Sequence, residues 1–317
     1  MKKIIVILGQ TATGKSNLAV KIAKKTNGEI ISADSRQIYK GLNVGTGKVP
    51  RDKISRTSKL EPRTYFYKGV PHHLLDVVNP KKKFTVAEYK KLAEEKIKEI
   101  IARGHTPIIC GGTGFYIDAI TKGIVFPEVP PNLKLRKKLY SKSAIALFEY
   151  LKKLDPVRAK DIKEKNETKN KVRLVRAIEI AKALGKVPTP EARPMGYKFI
   201  KIGLYLPPDK LKKKVEQRVK QMFQTGLLSE IKKLKRTGVS NKRLKEFGFE
   251  YFEPTYEKVV TETLKYAKRQ MTWFKRDPEI KWFDASKINV ASLSLFEQLL
   301  ELRKPKSPRS PRPKDNL

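Results

Sequence analysis

Cysteine is nearly absent from this chain of 317 residues: Cys110 stands alone. One thiol excludes an internal disulfide framework and any zinc site built on paired thiolates, and a reducing, cytoplasmic setting is expected. Histidine is almost as scarce, at three. His72 and His73 are adjacent and diverge in regular backbone, so they read as structural rather than as metal ligands, and His105 reads the same way. Long apolar runs are missing too. No stretch approaches the ~18 residues of a membrane-spanning helix, and Met1-Lys2-Lys3 leads straight into an apolar strand, leaving no room for a signal or transit peptide. Acid is the last shortage: 32 Asp+Glu face 71 Lys+Arg, a formal net charge of +39. Such a chain attracts polyanions, whether nucleic acid, diphosphates or an anionic surface, although a generally basic composition would give the same sum. Apolar residues, at 39%, still suffice over this length for a full core in about two domains.

The clearest positive signal lies near the start. Lys3-Ile4-Ile5-Val6-Ile7-Leu8 is a β-branched run that reads as a strand buried on both faces, and Leu18, Ala19, Ile22 and Ala23 recur at helical spacing. Between them Gly9-Gln10-Thr11-Ala12-Thr13-Gly14-Lys15-Ser16 fits G-x-x-x-x-G-K-[ST] in full. The glycines let backbone N–H groups close around phosphate oxygens, and the helix N-terminus adds positive potential. Lys15 supplies a mobile point charge and Ser16 a hydroxyl ligand for Mg²⁺. The motif specifies a polyphosphate with Mg²⁺; it does not specify ATP.

Glu29 to Ala33 is a second strand, ending in Asp34-Ser35-Arg36-Gln37. Ligands of open α/β sheets sit beyond the carboxyl ends of strands, which would aim Asp34 at whatever the glycine loop holds; an N-cap would use the same residue, and position alone leaves both open. Residues 41–71, rich in Gly and Pro, read as a long, partly mobile loop. Thr85 and Glu88 form a capping box for a helix with Tyr89, Ala93, Ile97 and Ile100 on its core stripe. Thr106 to Cys110 is another buried strand, running into Gly111-Gly112-Thr113-Gly114. Helical patterns then cover 133–154 and 169–184 with no convincing strand, and Lys169, Arg173 and Arg176 fall on one face with few acids to balance them. Strand-like Phe199 to Leu206 returns to the sheet. A helix from Pro207-Pro208-Asp209 carries Arg218 beside its apolar stripe, where a snorkelling arginine is the plain alternative to a ligand. A basic and aromatic helix at 258–275, a strand at 281–283 and a helix near 290–303 follow.

The fold expected is α/β: a P-loop NTPase-like parallel sheet core flanked by helices, with an inserted all-helical domain. Residues 1–121 and 198–303 form the core, 122–197 the insertion and 304–317 a disordered basic tail.

Taken in order, these stretches resemble the tRNA dimethylallyltransferases (tRNA isopentenyltransferases). The likeness rests on the Gly9–Ser16 loop, Ile31 to Tyr39, Gly45-Thr46-Gly47-Lys48-Val49-Pro50, Pro71 to Asp76, Gly111 to Tyr116, Arg173 to Glu179, Arg218 with Met222, Gly226-Leu227, Gly248-Phe249 and Ala267 to Phe274. The resemblance implies transfer of a dimethylallyl group from dimethylallyl diphosphate to N6 of the adenosine just 3′ of the anticodon. The loop Gly9, Gln10, Thr11, Ala12, Thr13, Gly14, Lys15 and Ser16 would then hold the diphosphate. Asp34 would take the amine proton, Thr113 would meet the reacting centre and Arg218 would help bind the diphosphate. Asp34, Ser35, Arg36, Gln37 and Thr113 would meet the acceptor, while Lys134, Arg173 and Arg176 of the insertion would clasp the anticodon stem-loop. A cytoplasmic monomer using Mg²⁺ and touching no membrane is expected.

Three departures stand out. Gly47 replaces a usual Ala, a change expected to matter little. Gly248-Phe249-Glu250 replaces Gly-Tyr and a basic residue, which alters the tRNA contacts implied there. Lys134 stands where the family usually has Arg, keeping charge but losing bidentate reach. Competing readings are a P-loop nucleotide kinase, an ATP-driven nucleic-acid motor and an adenylate isopentenyltransferase acting on free nucleotides. The basic charge and the insertion favour tRNA over the last.

Overall fold

The structure is a computed structural model and describes residues 2–52, 64–189, 191–193 and 195–288. The chain divides into two compact units, Met1–Thr121 with Pro194–Leu317, and Lys122–Arg193.

The first unit is built on β1 (Lys3–Gly9), β2 (Gly28–Ala33), β3 (Tyr65–Tyr67), β4 (Val70–His73), β5 (Thr106–Gly111), β6 (Lys198–Tyr205) and β7 (Lys281–Asp284). They form one sheet in the order β3-β4-β2-β5-β1-β6-β7, parallel except for β3. Alternation along β1 sorts its side chains into two cores. Ile4, Val6 and Leu8 join one cluster and Ile5 and Ile7 the other. Helix α1 (Lys15–Thr26) covers the second face with Leu18, Ala19, Ile22 and Ala23. Helix α2 (Val86–Ala102) covers the first with Tyr89, Ala93, Ile97 and Ile100, and its capping box forms between Thr85 and Glu88. Burial on both faces is why β1, β2 and β5 read as continuous apolar runs. The carboxyl ends of these three adjacent strands carry the glycine loop, the Asp34 turn and the second glycine turn.

Of the stretch 41–71, residues 53–63 lie outside the described residues, and the rest includes regular structure. β3 and β4 form a hairpin across Lys68 and Gly69, both at positive φ, and β4 pairs in parallel with β2 through Ile30↔His72 and Ile31↔His73. Strands this short, one containing Pro71, carry too little alternation to announce themselves. At the amino end of the sheet the buried Glu29 gathers His73 (2.5 Å), Arg103 (2.9 Å) and His105 (2.6 Å). Burial opposes its charge, but these hydrogen bonds hold its carboxyl at about 2. All three histidines are thus structural, with His72 Nδ1 on the Val70 carbonyl.

Helix α3 (Gly114–Thr121) leads to the second unit, which contains α4 (Leu133–Tyr140), α5 (Ala144–Leu154), α6 (Pro156–Glu164) and α7 (Lys171–Leu184). The pattern over 133–154 is therefore two helices, because Ser143 accepts from the Ala146 N–H and starts a new one. Asp155, followed by a proline, caps the unanticipated α6. Lys169 precedes α7, whose cap is Asn170, so it shares no helical face with Arg173 and Arg176. One strand-like bridge, Ile124↔Ala192, pairs the two ends of this unit antiparallel. It closes at Arg193 rather than 197, since Met195 and Tyr197 pack on the core of the first unit.

In the first unit α8 (Pro208–Gln224), α9 (Leu227–Arg236), α10 (Asn241–Phe247) and α11 (Tyr256–Phe274) follow β6. The sequence pattern alone does not mark α9 and α10. No helix among the described residues is long and apolar enough to cross a membrane. The expected helix near 290–303 and the basic tail lie outside the described residues.

Candidate active site

The glycine loop turns from β1 into α1 through two left-handed residues, Ala12 (φ 62) and Gly14 (φ 80). For Ala12 that conformation costs on the order of 1 kcal/mol, a strain of the kind that clusters at ligand sites. Inside the loop Thr13 Oγ1 donates to the Gln10 carbonyl at 2.8 Å, and Lys15 Nζ donates to the same oxygen at 2.5 Å. Burial lowers the Lys15 ammonium to about 8, and the Arg218 charge pulls the same way.

Helix α11 braces this loop. Gln270 Oε1 accepts the Thr11 N–H at 2.8 Å, while its Nε2 donates to the Gly112 carbonyl at 2.9 Å. A Cβ on Gly112 would lie 2.2 Å from Gln270 Nε2, and one on Gly114 would lie 2.3 Å from Trp273 Cδ1. The second glycine turn is thus glycine-rich because a helix packs on it. Trp273 Nε1 donates to Asp118 at 3.1 Å and fixes that packing.

Asp34 Oδ1 accepts the N–H groups of Arg36 (2.9 Å) and Gln37 (3.2 Å), so it caps a turn, not a helix. The carboxylate also lines the cavity described below. The two uses are compatible, since only one oxygen caps. Thr113 Oγ1 accepts the Ser35 N–H at 3.0 Å, and the Thr113 N–H donates to Ala33. Thr113 and Ser35 therefore stitch the Asp34 turn to the glycine turn.

Arg36 is held by Glu250 at 2.5 Å and lies over the rings of Phe249 and Tyr266. Burial acts against its charge, but Glu250 raises its pKa further. The acid at position 250 thus engages a cation of the site. Gly47 lies against a second cation of the site. At φ 58, a Cβ there would meet Arg218 Nη2 at 2.4 Å. Arg218 does not snorkel: its guanidinium donates to the Thr46 carbonyl at 3.0 Å, and burial lowers its pKa. Lys48 is buried against Asp76 (2.5 Å) and the Tyr39 carbonyl (3.0 Å).

These groups enclose a cavity of about 410 Å³. Of the residues singled out in the sequence, Thr11, Ala12, Gly14, Lys15, Ser16, Asp34, Arg36, Gln37 and Arg218 line it; Gly9, Gln10, Thr13, Ser35 and Thr113 do not. Gln270, Tyr266, Glu250 and Lys48 line it as well and were not singled out as site residues. Gln270 had a legible signal, an amide among the buried positions of α11. Among the described residues no cluster of three His, Cys, Asp or Glu could hold a metal. Ser16 and Asp34 in one cavity are instead a sparse oxygen set, which fits Mg²⁺ bound largely through phosphate oxygens and water.

In the second unit Lys134 is exposed on α4. Arg173 pairs with Glu167, and Arg176 with Glu179 at 2.5 Å. The buried Glu179 also takes Arg136 at 2.7 Å and the Asn132 N–H at 2.6 Å. The basic face of α7 is thus balanced by acids, contrary to the sequence expectation.

Two family models match the chain, IPP transferase over residues 37–277 and Isopentenyl transferase over residues 2–70. The tRNA dimethylallyltransferase of Anoxybacillus flavithermus is 36% identical over 298 residues, covering 89% of this chain and 90% of the relative. That of Halothermothrix orenii is 36% identical over 304 residues, covering 89% and 88%. Among solved structures, a tRNA isopentenylpyrophosphate transferase from Bacillus halodurans aligns with TM-score 0.64 at 31% identity, over 95% of this chain and 96% of that one. A eukaryotic dimethylallyltransferase captured acting on tRNA aligns with TM-score 0.76 at 27% identity, over 98% and 82%.

Proposed function

The chain belongs to the tRNA dimethylallyltransferase family and is a prenyltransferase, and on that premise we propose that it transfers dimethylallyl from dimethylallyl diphosphate to N6 of the adenosine immediately 3′ of the anticodon. The C1–O bond of the donor breaks, its electron pair leaves with the diphosphate, and a C1–N6 bond forms as the amine gives up a proton. The observation that carries this is one cavity holding Lys15 and Arg218 together with Asp34. Two cations and the loop amides suit the charge that builds on a departing diphosphate. The amine of adenine is a poor nucleophile, its lone pair delocalised into the ring, and the Asp34 carboxylate is the group to receive its proton. Mg²⁺, held by Ser16 and phosphate oxygens, would supply further charge neutralisation. Thr113 keeps the Asp34 turn in register with the glycine turn, and Gln270 ties the loop to that glycine turn.

The acceptor base must leave its stack to reach such a cavity. Arg36 and Gln37 line the place it would occupy, Ser35 supports the turn beside them, and Lys134, Arg173 and Arg176 of the helical unit offer charge to the anticodon stem-loop. A cytoplasmic monomer accords with this activity. Incubation with unmodified tRNA and dimethylallyl diphosphate, followed by nucleoside mass analysis, should give N6-dimethylallyladenosine. AMP in place of tRNA should give none. Robust ATP hydrolysis without prenyl transfer would overturn the proposal.

A further inference from the structure

Three successive backbone N–H groups converge on one carboxylate. Glu230 of α9 accepts from Asn43 (2.9 Å) and Val44 (2.8 Å) on Oε2 and from Gly45 (3.2 Å) on Oε1. Its Oε1 also accepts the Tyr251 hydroxyl at 2.9 Å. Charge-assisted bonds of this kind are the strong ones, and four on one carboxylate leave the loop little freedom. The chain beyond then folds on itself, with the N–H of Gly47 on the Val44 carbonyl and that of Lys48 on the Asn43 carbonyl, both at 3.0 Å. Thr46 Oγ1 turns back to the Leu42 carbonyl at 2.8 Å. What remains pointing toward the cavity is the Thr46 carbonyl. It accepts from two cavity residues, Arg218 Nη2 at 3.0 Å and Gln37 Nε2 at 3.2 Å. The bare Gly47 beside it leaves the space the guanidinium occupies. A line of fixed contacts therefore runs from Glu230 through the 43–47 turn to Arg218.

We propose that Glu230 is a positioning residue for prenyl transfer: by gathering the amides of residues 43–45 it fixes the Thr46 carbonyl, and that carbonyl aims the Arg218 guanidinium at the donor diphosphate. The proposal rests on Arg218 binding that diphosphate. Glu230 itself does not line the cavity with the loop and Asp34, so it acts only through the turn.

A double-mutant cycle separates positioning from general structural support. Wild type, Glu230→Gln, Arg218→Ala and the double variant are compared in prenyl transfer, in calorimetric binding of inorganic diphosphate with Mg²⁺, and in tRNA binding. Gln presents one acceptor oxygen in place of two. Losing charged hydrogen bonds at the seat should weaken diphosphate binding and kcat/KM for the donor by roughly 10- to 100-fold. tRNA affinity should stay within about twofold, because the loss is routed through Arg218. In the Arg218→Ala background the same change should cost less than about threefold, since its route is gone. Multiplying effects, or a folded Glu230→Gln protein that binds diphosphate as wild type does, would overturn the proposal. If thermal melting shows Glu230→Gln unfolded, Glu230→Asp, one methylene short of all three amides, completes the same cycle. An Arg218→Ala protein with wild-type diphosphate affinity would remove Arg218 from the site and overturn this proposal with it, while prenyl transfer by the wild type would still stand.

Discussion

Asp34 and Lys15 show how one side chain serves two masters in this cavity. Asp34 caps its own turn with one oxygen, and Asn would do that equally well, because Asn and Asp rank alike as caps. Asp34→Asn should therefore fold normally and bind donor and tRNA normally. If the carboxylate takes the amine proton, the chemical step should slow by roughly two to four orders of magnitude. The loss belongs in kcat, not KM. Single-turnover transfer at saturating donor and tRNA measures it, with a thermal melt as control; near-normal turnover would assign the proton to another group. Lys15 offers a second test, set by pH. With its ammonium at about 8 in the free protein, it is charged below that pH and loses its proton above it. Diphosphate affinity should accordingly fall as pH rises from about 7.5 to 9, and binding near pH 8 should take up protons from buffer. Calorimetry in buffers of different ionisation enthalpy reads the uptake directly. An affinity flat across that range would mean that Lys15 does not meet the diphosphate as an ammonium.

Between elements, the clearest device is the Glu29 junction at the amino edge of the sheet. Glu29 lies on β2, His73 on the adjacent β4, Arg103 at the end of α2 and His105 just ahead of β5. One buried carboxylate thus pins three neighbours of β2. Its folded pKa of about 2 lies below the ordinary 4.5, so its contribution to stability is fully present above pH 4.5 and is lost as pH falls from there toward 2. Glu29→Gln should remove most of that acid-dependent loss. It should also lower stability at neutral pH by about 3 kcal/mol, because the Arg103 guanidinium loses its counter-charge and His73 and His105 lose an ionised hydrogen-bond partner. Urea melts at pH 7 and pH 3.5 test both; equal stability differences between the two proteins at the two pH values would sink the assignment. Helix α11 works in the same way at the other edge, where Gln270 and Trp273 on one face turn two glycine loops into a single frame.

At the scale of the whole molecule, the excess of base over acid is what a polyanion meets first. A formal net charge of +39 is ample for a polyanionic ligand. Its distribution refines the expectation. Arg176 is tied to the buried Glu179, and Arg173 to Glu167, so each must leave an acid to meet a phosphate, whereas Lys134 is exposed. Lys134→Ala should therefore reduce the salt slope of tRNA binding by close to one unit, and Arg176→Ala by less than about one. Anisotropy titrations across salt concentrations distinguish them. Identical slopes for both variants and wild type would return these residues to a solvated face.

The sequence by itself determined the frame. Glycine loop, β-branched strands and the Thr85–Glu88 capping box are local statements, each encoded within a few residues, and each was legible for that reason. Lys15 was legible from the glycine loop, whereas Asp34 and Arg218 were legible only as candidates, through the order of motifs that carries the family resemblance; the structure brings the three to one cavity. What only the tertiary structure decided is where distant segments meet. Glu230 and Gln270 reach loops that lie far from them in sequence, across contacts that no local period records. The short β3–β4 hairpin owes its place to pairing with β2 rather than to propensity. The acids that balance α7 come partly from a turn outside the helix, so a face that looks unpaired along the chain is paired in space. The neighbour of Gly47 is of the same kind: the Arg218 guanidinium is brought to it from α8, and only folding sets the two side by side.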